Sequence, residues 1–190
     1  MNNYTNNTNS CIANLRGAHL TGANLSYAEL CGATLIEVNL SNANLCNSNL
    51  SGANLSGANL YVATLHLANL SYANLSGVNL ISAELDGSTL ISAQLMGANL
   101  CNATLYGADL SGANLSHTNL TGSNLTNANL SNADLAGAIG LDPDINIALK
   151  HVNKTPYLSE NTNENYNLTW VDGLVYQCDT TIGIFNIFSL

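Results

Sequence analysis

The sequence predicts an all-β solenoid, and three observations carry that prediction. From Ala13 to Leu135 a leucine stands at every residue number divisible by five, through twenty-five consecutive pentads. The residue two before each leucine is almost always alanine. The two after it are commonly serine and glycine, as in Ala53-Asn54-Leu55-Ser56-Gly57.

The spacing excludes the ordinary elements. On an α-helix five residues advance a side chain by about 140° beyond a full turn, so the leucines spiral and build no apolar stripe. On one continuous strand an odd spacing sends successive leucines to opposite faces. A chain that turns a corner in every pentad satisfies the pattern. Leu55 and Ala53 then share the inner side of a short extended segment while Asn54 between them faces out. Ser56-Gly57 makes the corner, glycine tolerating the turn dihedrals and serine bonding locally to backbone. Four such sides would close a coil of twenty residues with four leucines meeting on the axis. The corner argument by itself leaves open the hand of the coil and a choice between three and four sides.

These Ala-Asn-Leu-Ser-Gly units resemble the pentapeptide repeat family over about two thirds of the chain. The resemblance implies a right-handed quadrilateral parallel β-helix. It also implies a non-enzymatic scaffold that mediates protein–protein interaction. The alternative it offers is a DNA-mimic inhibitor of a type II topoisomerase, because the family includes proteins of the quinolone-resistance kind whose acidic rod is taken to occupy the DNA site of gyrase.

An unbroken repeat is one stack whose units touch only their neighbours, so the 190 residues divide into a polar segment 1–10, a repeat 11–140 and a tail 141–190. The alanine position lapses only to Val38, Val78, Ser48, Ser88, Thr118 and Ser123, all small enough to keep the walls close. A hydroxyl buried there, as at Ser48 or Thr118, needs a backbone acceptor.

Residues 1–10 lack the basic and apolar regions of a signal peptide, and no run of about 18 apolar residues could span a membrane. A cytoplasmic location without membrane association is the expectation. Five cysteines fit a reducing compartment. Cys11 and Cys31, twenty apart, would lie one above the other on adjacent coils, whereas Cys46, Cys101 and Cys178 fall elsewhere. His19, His66, His117 and His151 share no ladder with the cysteines, so no metal or other cofactor is expected.

Sorting by twenty also tests for catalysis. Of the repeat's acids, Glu29, Glu37, Glu84, Asp86, Asp109 and Asp134, only Glu84 and Asp86 stand close, flanking Leu85. Outward carboxylates on a convex wall lack the pocket that would tune them as acid and base. A leucine core leaves no cavity, and the chain reads as a non-enzyme. One outward ladder, Asn39, Asn59, Asn79, Asn99 and Asn119, is uniform enough to serve either as stacked amides along the axis or as a partner surface. The tyrosines Tyr27, Tyr61, Tyr72 and Tyr106 scatter over several faces.

The net charge of −9 disfavours direct nucleic-acid binding and invites the mimicry reading. Magnitudes weigh against mimicry. Duplex DNA carries one charge per about 1.7 Å, so a rod of roughly 30 Å would need about 18. The six repeat acids against Arg16 give −5, and no two of them stack on adjacent coils.

Beyond Leu135 the period decays. Asp142 and Pro143 read as the start of a short helix to about His151, a cap for the open end of the stack. Asp172-Gly173 between apolar stretches signals a hairpin. Ile182 to Leu190 is apolar enough that it should dock on the rod or on a second copy. A homodimer through this tail is a further expectation.

Overall fold

The computed structural model describes residues 12–141 and three later strands. From Asn14 to Ile139 the repeat is a stack of coils in which the residue before each leucine forms a parallel bridge with the residue twenty further on. Asn14 meets Thr34, Thr34 meets Asn54, and the series runs without a slip to Asn119 and Ile139. Twenty residues per coil, each holding four pentads, fixes four sides. The open choice between three and four is settled by this register.

Each bridge is sealed on both sides by backbone bonds. Leu55 N–H donates to the Asn74 carbonyl at 2.7 Å in the next coil, and Asn54 N–H donates to the Ala33 carbonyl at 2.9 Å in the previous one. The corner is a four-residue turn closed by the N–H of Ala58 on the Leu55 carbonyl at 2.9 Å. Its third residue has φ near +60° at every corner from Gly17 to Gly137, while its second is never left-handed, which defines a type II turn. Glycine is the free choice there, so the thirteen corners that instead carry a side chain within this run, among them Val62 and Leu67, adopt a conformation that costs roughly 1–2 kcal/mol.

Alanine and leucine go in. From Leu35 to Leu130 every leucine of the register is at most 1% exposed, and the alanines between them are as closed. Leu15, Leu20 and Leu25, which have no preceding described coil, are only partly buried. Val38 and Val78 are fully enclosed. The hydroxyls of Ser48, Ser88 and Thr118 each donate to the leucine carbonyl three residues back, at 2.7, 2.6 and 2.7 Å. The backbone acceptor expected for Ser48 and Thr118 is present.

Ser123 differs. Its Oγ is buried without a hydrogen-bond partner. Ser123→Ala, which restores the repeat's own residue, is expected to stabilise the protein by about 1 kcal/mol, read as a higher thermal midpoint. Ser88→Ala removes a hydroxyl that is satisfied and should raise it less.

The three later strands are β1 (Tyr166–Val171), β2 (Leu174–Asp179) and β3 (Ile184–Phe188). They form one antiparallel sheet in that order. Val171 pairs with Leu174 in the antiparallel register that the sequence predicts for a hairpin, Asp172 and Gly173 themselves lying outside the described residues. The stretch from Ile182 is expected to dock on the rod or on another copy; within it the backbone of Ile184–Phe188 pairs with β2, Cys178 lying opposite Phe185 in the register. Two apolar pairs around Asn186, beside an unpaired strand edge, are sufficient for that pairing. The short helix expected at Asp142–His151 and the polar segment 1–10 lie outside the described residues.

Candidate functional surface

The outward positions are set by the residue before each leucine. Where that residue is asparagine or aspartate, its Oδ1 accepts the backbone N–H two residues on, as Asn54 does from Ser56 at 3.1 Å and Asp109 from Ser111 at 3.0 Å. This local turn satisfies an amide at the start of the corner. It is why asparagine dominates the pattern.

The candidate ladder Asn39, Asn59, Asn79, Asn99 and Asn119 lies on the second side. All five make the local bond, to Ser41, Tyr61, Ile81, Cys101 and Thr121, at 3.0–3.2 Å. Axial stacking is also present: Asn59 Nδ2 donates to Asn39 Oδ1 at 3.3 Å and Asn79 Nδ2 to Asn59 Oδ1 at 3.0 Å. Much of this ladder's hydrogen bonding is therefore spent on the fold.

The third side, that of Leu65, Leu85 and Leu105, departs from the pattern. Its outward positions are Thr64, Glu84 and Thr104, three successive rungs without the short amide. The N–H of Tyr106 donates instead to Asp86 Oδ1 in the coil below, at 2.8 Å. His66 stands between the two carboxylates, with Nε2 at 3.0 Å from Glu84 Oε2 and Nδ1 at 3.7 Å from Asp86 Oδ2. These side chains are a third to a half exposed, open to solvent above a filled wall.

Sorting by twenty could have found this group, since His66 and Asp86 differ by twenty. The His66, Glu84 and Asp86 contacts bring a histidine and two acids together without a serine beside them. Among the described residues no cluster of three or more His, Cys, Asp or Glu is arranged to hold a metal ion. Cys31, Cys46 and Cys101 are free thiols, Cys31 accepting from Ser51 Oγ at 3.2 Å, and Cys11 lies outside the described residues.

The corners on either side of this wall carry apolar residues among polar ones. Before it come Tyr61 and Val62, with Ile81 one coil up. After it come Leu67, which is 63% exposed, and Tyr106. Leu67 lies over Gly87, where an added Cβ would stand 2.8 Å from Leu67 Cδ2, so the glycine makes room for the leucine. The tyrosines lie on several corners, as expected: Tyr61 before this side, Tyr106 after it, Tyr72 at the next corner and Tyr27 two coils below Leu67.

A solid four-sided parallel stack with all its chemical variety on the exterior is a repeat scaffold by architecture. The family model for pentapeptide repeats matches residues 13–52, 48–87, 68–107 and 103–139, in 8 copies. The chain belongs to the pentapeptide repeat family. Among solved structures it is similar to the pentapeptide repeat protein Rfr23 from the cyanobacterium Cyanothece 51142, at 33% identity over 58% of this chain and 90% of that one, with a TM-score of 0.52. It is similar in fold to QnrB1, a plasmid-mediated fluoroquinolone resistance protein, at 19% identity over 66% of this chain and 63% of that one, with a TM-score of 0.63. No curated protein matches the sequence. Among the described residues no helix is long and apolar enough to cross a membrane.

Proposed function

We propose that this chain is a non-enzymatic, right-handed β-helical scaffold that works in the cytoplasm by presenting its outer wall to another protein. The single observation that carries the reading is the filled core. With every leucine from Leu35 to Leu130 at most 1% exposed, recognition is left to the exterior, where a rigid coil spacing holds side chains at fixed heights. A partner that reads such a wall meets a preorganised surface and orders little of it on binding.

A photo-crosslinking residue placed on each of the four sides in turn, Asn99 representing the asparagine ladder, tests this in the cells that make the protein. Protein adducts from one side and none from the others are expected. Adducts from no side would overturn the reading.

The likeness in fold to QnrB1 keeps the DNA-mimic alternative in view, and the charge geometry argues against it. Asp109 and Asp134 are occupied as local caps, Glu29 is held by Asn49 Nδ2 at 2.9 Å, and Glu37 lies 3.5 Å from Arg16. Among the described residues only Glu84 and Asp86 gather. The purified protein is expected to leave gyrase supercoiling unaffected at low micromolar concentration. Inhibition that weakens steeply with added salt would install the mimicry reading in its place.

A further inference from the structure

We propose that the third side of the rod, between Tyr61 and Tyr106, is the docking surface for a protein segment that brings a lysine or arginine flanked by apolar side chains. The proposal rests on the scaffold reading and names the surface and the chemistry of the partner.

The first argument is strain. Val62 and Leu67 hold φ of +54° and +56° on exposed corners, a conformation in which a β-branched or bulky residue is an outlier. The fold does not demand either residue. The corner positions directly below them on the same ladders are Asn42 and Asn47, and asparagine tolerates this conformation through local hydrogen bonding. At these two corners the sequence keeps a strained, solvent-exposed apolar residue where an easier one serves the neighbouring coil. Strain of this kind marks positions held for something other than the fold.

The second argument is charge. Glu84 and Asp86 share one imidazole, which can supply at most one positive charge to two carboxylates. Among the described residues Arg16 is the only lysine or arginine, and it stands beside Glu37. The acidic pair therefore lacks a full counter-charge among the described residues of the rod, with Tyr61 and Val62 at the corner before it and Leu67 and Tyr106 on the corner ladder that carries Asp86. Apolar groups flanking a cation there would pack on Tyr61 and Val62 at one corner and on Leu67 and Tyr106 at the other, lowering the exposure of the pair to water and strengthening it. The negative wall disfavours nucleic acid as the occupant. Met96, the exposed apolar residue on the opposite side of the rod, has no acid at its corner.

The test pans a displayed library of random peptides on the full-length protein. Selected peptides are expected to carry Lys or Arg next to apolar or aromatic residues, and to lose affinity by about tenfold or more on the Glu84→Gln/Asp86→Asn double variant. The Val62→Asn/Leu67→Asn variant, which copies the coil below, is expected to lose the same binding while its thermal midpoint stays level or rises. Residues held for the fold would lower the midpoint instead. Met96→Gln should bind as the parent does. No enrichment, peptides without a cation, or binding indifferent to the two double variants would overturn the site. Selection of sequences like Leu149-Lys150-His151-Val152 would overturn a foreign partner in favour of this chain's own tail. Should the site fail while photo-crosslinks come from another side, the scaffold reading stands without it.

Discussion

Replacing Leu75 by alanine is expected to cost about 2–5 kcal/mol, read as a lower denaturant midpoint, because the side chain is 1% exposed at the centre of the stack and its removal leaves a cavity that the neighbouring coils cannot close. Coil spacing is fixed by backbone bonds such as Leu75 N–H on the Gln94 carbonyl at 2.7 Å, so the walls have little freedom to collapse inward. Asn74→Ala is the control. By side-chain direction alone it should change little, but Asn74 Oδ1 accepts the Ser76 N–H at 3.1 Å. Its loss is therefore expected to cost about 0.5–1.5 kcal/mol. Equal losses at the two positions would contradict the inward and outward assignment.

Ending the chain after Gly140 is expected to leave a rod that aggregates or strings end to end. The last bridge joins Asn119 to Ile139, and the coil above it would have to supply partners for the backbone groups that follow. A stack that stops there presents an unpaired edge beside its final leucines, the kind of surface that closed β-structures cover. Light scattering on the shortened and full-length chains reads the outcome. If the tail instead joins two rods, the full-length chain runs as a dimer and the shortened one as a monomer. A shortened chain that is soluble, monomeric and equally stable, beside a monomeric parent, would refute both versions.

Corner chemistry shows where reading from residues stops. Ser-Gly announces a turn, and glycine announces left-handed φ, yet thirteen corners of the run keep the same φ with other residues. The backbone bonds to the coils above and below impose the conformation on whatever side chain is there. Local propensity could therefore place the corners without revealing that Val62 and Leu67 are strained in them.

The period of five, the inward alanine and leucine and the Asp172-Gly173 hairpin were determined by the sequence alone, because each depends on residues within a few positions of one another. The closed coil of twenty, the capping role of asparagine and the meeting of His66 with Glu84 and Asp86 were decided only by the tertiary structure. Those features depend on which residues become vertical neighbours and at what distance, and neighbours along the axis of a solenoid are twenty positions apart in the chain. The third strand, Ile184–Phe188, follows the same division: its apolar composition is local, but its choice of β2 as partner was made by the hydrogen-bonding edge that the hairpin left open.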